Sequence, residues 1–221
     1  MSKVVRLRGF LSIHEISVIL EIVKRSGLPC YTSNQYEDVS ELGAPLHTTM
    51  YLQTDNFFQN KLYWLQKKII KIVKKVNKIS DWGFHIDDNK SFNIRVAEYH
   101  EMFKGGSLRD SQHYDIGSLI TVDIMLQEAT DGGFFSTLER SVDADCNISF
   151  DERPNGEEYL RLQKFKLGDA LVFVSHKYHC VSPVIAGYRK VLVIELWNGP
   201  RPTCGHRCDD STGNCHYAPE G

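Results

Sequence analysis

The chain has 221 residues, of which 42% are hydrophobic and 24% are charged, a composition typical of a globular protein with a substantial core. Its 26 basic and 28 acidic residues leave a net charge of −2, which excludes a global positive field that would recruit nucleic acid or a membrane surface. The longest apolar runs, residues 170–174 and 191–194, fall far short of the ~20 residues that a membrane-spanning helix needs.

Two amphipathic helices are predicted in the first part of the chain. Ser12 and Glu15 have the spacing of a capping box, and the apolar pattern that follows predicts a helix over about 12–26. From a cap near residue 54, apolar residues recur at alternating steps of four and three up to residue 79, which predicts one long helix. Its other side carries seven lysines. We interpret that side as a solvated outer face, with a surface for a polyanion as the alternative.

The hydrophobic period changes from helix to strand after Trp82. Apolar residues alternate over 92–97, and residues 119–126, 170–174 and 191–197 are rich in β-branched and aromatic side chains. Clusters of turn-forming residues separate these segments. The order of elements predicts an α+β fold whose core is an antiparallel jelly roll, a double-stranded β-helix, supported by N-terminal helices.

We expect one domain over residues 1–199, with a helical front at about 10–80 and the jelly-roll core at about 90–199. Residues 200–221 form a tail rich in cysteine and histidine. No apolar stretch follows the basic residues of the first ten positions, so we expect no secretory signal and a cytoplasmic location. The sequence makes no prediction of oligomeric state.

His113 and Asp115 are the strongest candidates for metal ligands. They are two residues apart, and on an extended segment such side chains project to the same face. His179, which follows the predicted strand at 170–174, is the candidate third ligand. Two histidines and one carboxylate form the facial triad of non-haem Fe(II) oxygenases, which leaves coordination positions open.

Arg189 lies ten residues after His179, on the next predicted antiparallel strand. There its guanidinium could bind a buried carboxylate through two parallel hydrogen bonds. Two other sets of ligands are less favoured. His85 and Asp87 precede the β-rich half, and His176 has no arginine ten residues later.

Further segments carry a resemblance to a known group of enzymes. They are the opening helix at 10–15, an acidic Gly-Gly-x-Phe turn at 131–134, a Gly-Asp turn at 168–169, and a Val-x-Pro-Val-x-x-Gly-x-Arg run at 181–189. Together with the His-x-Asp motif, these segments resemble the 2-oxoglutarate and Fe(II)-dependent dioxygenases, and within them the prolyl 4-hydroxylase-like branch. The resemblance covers about 10–26 and 92–199.

The resemblance implies Fe(II) as the metal, with 2-oxoglutarate and O2 as cosubstrates. It implies that His113, Asp115 and His179 hold the iron and act as the catalytic residues, and that Arg189 binds the distal carboxylate of 2-oxoglutarate. Tyr99 occupies the position of a tyrosine that touches the cosubstrate in relatives. The reaction expected from the resemblance is hydroxylation of an amino-acid side chain in a protein, a peptide or a free amino acid.

Two other classes of function remain open. One is an oxygenase that acts on another small molecule or on a nucleic-acid base; demethylases of this superfamily carry an arginine where this chain has Glu195, which counts against the base. The other is a non-catalytic jelly-roll module that binds a partner through the lysine-rich helix. We therefore expect an amino-acid, peptide or protein substrate, and neither nucleic acid nor a membrane as partner.

The tail offers a second group of metal ligands. Cys204, Cys208 and Cys215 lie there with His216, and His206 stands beside them. The first spacing falls within the range of structural zinc sites, whereas the second is longer than usual. Three interpretations are open: a structural zinc ion, free thiols, or a disulfide if the compartment is oxidising.

Overall fold

The computed structural model describes residues 2–32, 45–86, 92–140 and 158–208, together with Asp210 and Cys215. Within them the helices are α1 (Ile13–Lys24), α2 (Phe57–Lys61) and α3 (Tyr63–Ser80), and a 3-10 turn covers Thr54–Asn56. The strands are β1 (Val5–Leu7), β2 (Tyr31–Thr32), β3 (His47–Tyr51), β4 (Phe92–Met102), β5 (Leu108–His113), β6 (Ile120–Gln127), β7 (Asp131–Gly132), β8 (Phe135–Arg140), β9 (Glu158–Leu162), β10 (Ala170–Val174), β11 (His179–Val181), β12 (Val184–Ala186) and β13 (Arg189–Asn198). None of the helices in these ranges has the length and apolar character needed to cross a membrane.

The strands form two sheets and a short ribbon, and their pairings are antiparallel. The major sheet has seven strands in the order β1-β10-β6-β13-β4-β3-β2, and the minor sheet has four in the order β5-β11-β8-β9. Strands β7 and β12 form the ribbon. The predicted α+β class with an antiparallel β core is therefore confirmed.

Side chains alternate across the major sheet and divide the interior into two cores. On β13, Leu192, Ile194 and Leu196 pack in a cluster with α1 and α3, whereas Val191 and Val193 pack with Phe135 of the minor sheet. This alternation follows from the two-residue period of a strand. Helices, major sheet and minor sheet thus form successive layers.

Helix α1 begins as predicted. The Ser12 side chain accepts a hydrogen bond from the backbone N–H of Glu15, and the Glu15 carboxylate accepts one from the N–H of Ser12. On α3 the apolar stripe that includes Leu65, Ile69 and Val73 is buried against the major sheet, and the lysines lie on its exposed or half-buried side. The lysine face is thus solvated.

The prediction of one continuous helix from residue 54 to 79 was wrong. Asp55 and Asn56 have positive φ angles of 50° and 59°, and Leu62 leaves the helical region between α2 and α3. The N–H of Asp55 donates to the carbonyl oxygen of Thr203 at 2.9 Å, so this segment bonds to the tail. Periodicity in a local window cannot reveal such a contact.

The ribbon of β7 and β12 requires glycine where the two strands approach. A Cβ at Gly132 would lie 2.2 Å from the carbonyl oxygen of Pro183, and one at Gly133 would lie 3.2 Å from Cδ of Arg189. Both glycines have positive φ. Because these glycines have no Cβ atom, the turn at 131–134 leaves space for the Arg189 side chain.

Replacing Gly132 with alanine is expected to lower the free energy of unfolding more than the same change at Gly27. Both positions have positive φ, 73° and 68°, so both variants carry the ~1–3 kcal/mol cost of a non-glycine residue in that conformation. Only at Gly132 does the added Cβ also meet backbone atoms, because Gly27 has open space around it. Urea denaturation measures the difference; equal losses would contradict this account of the ribbon.

Candidate functional site

A cavity of about 600 Å³ opens between the two sheets. The major sheet lines it with residues of β3, β4, β6 and β13, and the minor sheet with residues of β5, β8 and β11. A residue of the tail, Arg207, also reaches it. The volume lies within the usual range for small-molecule sites.

His113, Asp115 and His179 meet in this cavity. In the antiparallel pair of β5 and β11, His113 and His179 are directly opposite each other. Asp115 Oδ1 lies 3.5 Å from His113 Nε2 and 3.9 Å from His179 Nε2, and the candidate ligand atoms of the three residues all lie within 4.8 Å of one another. The structure thus brings together the three residues that the sequence analysis selected.

Asp115 lies between the end of strand β5 and a turn at 116–117, and not on the strand itself. Strand β5 ends at His113. The N–H of Asp115 donates to the carbonyl oxygen of Ser175 at 2.9 Å, and its Oδ2 accepts a hydrogen bond of 2.7 Å from the Thr121 hydroxyl. These two contacts come from the neighbouring strands β6 and β10 and their ends, and together they orient the carboxylate.

The protonation states of these groups suit metal binding. Burial disfavours the charged form of Asp115, but the nearby His179, His113 and Arg207 outweigh it and hold the pKa of that carboxyl well below its usual range. Burial also lowers the pKa of His179. Its Nδ1 donates to the carbonyl oxygen of Lys177 at 2.9 Å, so the lone pair of Nε2 is free to coordinate. Two imidazoles and a carboxylate are a donor set that fits a divalent iron ion.

Arg189 is the second prominent feature of the cavity. Its side chain is only 2% exposed, and its Nε and Nη2 atoms have no hydrogen-bond partner among the described residues. The guanidinium lies 5.8 Å from the ring centre of Phe165. Burial lowers its pKa to about 10, which still leaves it charged at neutral pH. A buried cation without hydrogen-bond partners is costly, and an anionic ligand in the cavity would satisfy it.

Asp123 lines the same cavity and was missed by the sequence analysis. It is the acidic residue within the otherwise mainly apolar strand β6, which is the signal that could have revealed it. Burial, followed by the negative charge of Asp115, raises the pKa of Asp123 to about 8, although the charge of Arg189 opposes the rise. The carboxyl group is therefore mostly protonated at neutral pH.

Tyr99 does not lie where the resemblance suggested. Its neighbours Glu98 and His100 on β4 line the cavity, whereas Tyr99 is packed in the cluster on the helix side of the major sheet. Its hydroxyl donates to Glu101 Oε1 at 2.6 Å. Successive side chains of a strand point to opposite faces, so Tyr99 is directed away from the cosubstrate region.

One wall of the cavity is a chain of hydrogen-bonded polar groups. His47 Nε2 lies 2.9 Å from His100 Nδ1, and His100 Nε2 lies 3.0 Å from Glu98 Oε2. Arg207 donates to both oxygens of Glu98, at 2.8 and 3.0 Å, and also pairs with Glu195. The sequence analysis missed Arg207 because nothing in the tail indicates that it folds back on the β core.

Arg207 also connects this wall to the candidate metal site. Its Nη2 lies 3.6 Å from Oδ1 of Asp115. Burial opposes ionisation of Glu98, but Arg207 and His100 lower its pKa to about 2. Glu195, in contrast, has a pKa raised to about 8 by its burial. Arg207 thus lies among three buried carboxyl groups, and Arg95 is a second guanidinium that pairs with Glu195, at 3.3 Å.

The cysteine residues of the tail meet with His206. The structure brings the ligand atoms of Cys204, His206, Cys208 and Cys215 to within 4.8 Å of one another. His216 lies outside the described residues. The expected grouping of the three cysteines is therefore present, together with His206.

Comparisons with known proteins agree with this architecture. No protein-family model and no curated protein matches the sequence. An oxidoreductase of the 2OG-Fe(II) oxygenase family from Burkholderia pseudomallei is 17% identical, with a TM-score of 0.59 over 90% of this chain and 86% of that one. A prolyl hydroxylase from Trichoplax adhaerens, in complex with a hypoxia inducible factor peptide, is 13% identical, with a TM-score of 0.59 over 90% and 84%.

The non-heme alpha-ketoglutarate-dependent epimerase SnoN, from nogalamycin biosynthesis, is also similar. It is 10% identical, with a TM-score of 0.62 over 89% of this chain and 78% of that one. At these identities the likeness concerns the fold. The chain has the fold of the 2-oxoglutarate and Fe(II)-dependent oxygenases, including the prolyl hydroxylases, as the motifs of its sequence indicated.

Proposed function

We propose that this protein is a 2-oxoglutarate- and Fe(II)-dependent dioxygenase that hydroxylates an amino-acid side chain in a protein, a peptide or a free amino acid. The observation that carries the proposal is the buried guanidinium of Arg189, which has two nitrogens without hydrogen-bond partners in the cavity that also holds the two histidines and Asp115. An inert jelly roll has no need of a buried guanidinium with two unsatisfied nitrogens beside a set of metal ligands.

His113, Asp115 and His179 would hold Fe(II), and Arg189 would bind the distal carboxylate of 2-oxoglutarate. When bound, iron, 2-oxoglutarate and O2 supply the oxidising power for hydroxylation of a C–H bond, with succinate and carbon dioxide as coproducts. Thr121 and the carbonyl of Ser175 keep the Asp115 carboxylate in position, and the carbonyl of Lys177 selects the tautomer of His179.

The substrate is proposed from the volume of the cavity and from the comparisons. About 600 Å³ leaves room for a substrate group beside the small cosubstrate. The similar prolyl hydroxylase from Trichoplax adhaerens binds a peptide, which supports a peptide or protein substrate. The likeness to the SnoN epimerase favours a second candidate, an oxygenase that acts on another small molecule. A substrate screen should therefore begin with proline-containing peptides and free amino acids and continue with small natural products.

Anaerobic addition of Fe(II) and 2-oxoglutarate is expected to give a visible metal-to-ligand charge-transfer band in the wild type but not in H179A. The reason is that loss of Nε2 removes one of three metal ligands. His176, three residues away, is exposed and packs on Tyr114, so H176A is the matched control and should keep the band. A band of wild-type intensity in H179A would refute the assignment, and absence of both the band and succinate formation in the wild type would favour a non-catalytic binding module.

Replacing Arg189 with methionine is expected to weaken 2-oxoglutarate binding by roughly 10²–10³-fold or more, because a buried carboxylate loses its partner at a cost of ~3–5 kcal/mol. The change should not lower the stability of the ligand-free protein, since the guanidinium has nitrogens without hydrogen-bond partners there. Lys190 is a neighbouring cation that pairs with Glu101 at 2.7 Å, so K190A serves as control with unchanged affinity. Calorimetric titration and urea denaturation measure the two quantities; wild-type affinity in R189M would disprove the role.

The affinity for 2-oxoglutarate is expected to fall as the pH rises through about 8. Below its pKa of about 8 the Asp123 carboxyl is neutral, and above it the carboxylate adds a negative charge near Arg189 that repels the anionic cosubstrate. The decrease can reach about tenfold for each pH unit above the pKa. D123N has no charge at residue 123 at any pH and should show a shallower decrease over the same range, in which Glu195 still titrates. Parallel profiles for the two proteins would rule out Asp123 as the titrating group.

A further inference from the structure

The strongest feature outside the oxygenase cavity is the cluster of Cys204, His206, Cys208 and Cys215. Its four candidate ligand atoms lie within 4.8 Å of one another, and Nε2 of His206 lies 3.1 Å from Sγ of Cys215. We propose that these four residues bind a structural zinc ion, and that this ion holds the C-terminal loop in place so that Arg207 stays in the cavity. The proposal goes beyond the oxygenase function and does not depend on it.

The donor set matches zinc rather than iron of the oxygenase type. Three thiolates and one imidazole complete a tetrahedral site, and they leave no position for a cosubstrate. Zinc–sulfur bonds of ~2.3 Å imply sulfur–sulfur edges of about 3.7 Å in a regular tetrahedron, so atoms gathered within 4.8 Å need only small adjustments. The two clusters of the chain therefore suit different metals: one has open positions and a carboxylate, and the other is closed and rich in sulfur.

The loop that carries the first three ligands is fixed through its backbone. The buried side-chain amide of Gln53 donates to the carbonyl oxygens of Cys204 and His206, at 3.2 and 2.9 Å. The buried Arg95 donates through Nε to the carbonyl oxygen of Cys208 at 2.8 Å. Because their carbonyl oxygens are bound by the β core and its flanking turn, the side chains of these residues are held near one another before a metal arrives.

Cys215 is the ligand that closes the site. It follows Cys208 by seven residues, and its sulfur reaches the imidazole of His206. The hydrogen bonds from the side chains of Gln53 and Arg95 hold the part of the loop from Cys204 to Cys208. A zinc ion would join Cys215 to that part and close the segment between them, which is how structural zinc sites stabilise short, irregular stretches of chain.

Arg207 stands between two of the proposed ligands and points the other way, into the cavity. There it pairs with Glu98 and Glu195 and lies 3.6 Å from Asp115. Glu98 and Glu195 are buried, and Arg207 is the main positive group near each of them, so loss of the guanidinium would leave both carboxyl groups without it. A zinc ion bound to His206 and Cys208 would thus hold the backbone on both sides of Arg207, the residue that pairs with the carboxyl groups of the cavity wall.

Zinc content tests the site directly. The measurement uses the H179A variant, in which the oxygenase site has lost a metal ligand, purified in the presence of a reductant. Inductively coupled plasma mass spectrometry is expected to find one zinc ion per chain. Adding C215S should remove it, whereas adding C30S, which changes an exposed cysteine outside the cluster, should not. Cobalt(II) in place of zinc should give an intense thiolate-to-metal charge-transfer absorption that C215S lacks. A protein without zinc, or an intact mass that shows a disulfide among the three cysteines, would overturn the proposal.

Limited proteolysis tests the position of Arg207. Trypsin cleaves after lysine and arginine, and beyond Gly199 the chain has only Arg201, which precedes Pro202 and is therefore resistant, and Arg207. With zinc bound, the Arg207 side chain is in the cavity and cleavage after it should be slow. Chelation of zinc, or C215S, should accelerate this cleavage at least tenfold, while cleavage after Lys164 serves as an internal reference. Equal rates with and without zinc would show that the metal does not hold the loop.

Discussion

The antiparallel pairing of β11 with β5 is the constraint on which the candidate site depends. It sets His179 directly opposite His113, and both strands belong to the minor sheet, which faces the major sheet across the cavity. A shift of one residue in this register would turn one imidazole to the opposite face of the sheet. The register is supported on the other side of β11, where His179 pairs with Thr137 of β8.

Charge is distributed unevenly around the cavity that this pairing creates. At one end Arg207 compensates Glu98 and Glu195 and approaches Asp115, so the negative charges of that wall are balanced by a residue of the tail. At the other end Arg189 has two nitrogens without hydrogen-bond partners. Among the described residues, the acidic groups of the wall are thus paired, whereas two nitrogens of Arg189 are unsatisfied where an anionic ligand would bind, as the proposed function requires.

Local patterns in the sequence were sufficient for much of the fold and for the principal site residues. The capping box at Ser12 and the alternation of apolar residues in the strands depend on neighbouring residues, and both are present in the structure. The prediction of one long helix was wrong because the N–H of Asp55 donates to a carbonyl oxygen of the tail. The placement of Tyr99 at the cosubstrate was not reproduced because a motif match does not reveal which face of β4 a residue occupies. Asp123 escaped notice because its effect comes from burial, which a local pattern does not report.

The sequence by itself determined which chemical groups are available: a His-x-Asp pair, a distal histidine with an arginine ten residues later, and a group of cysteines near the C-terminus. Tertiary structure alone decided which of these groups meet. It brought Arg207 to Asp115 and placed His206 among the cysteines. The physical reason is that such contacts depend on sheet register and on hydrogen bonds to a returning loop, such as those that Gln53 and Arg95 make, and these join residues far apart in the chain.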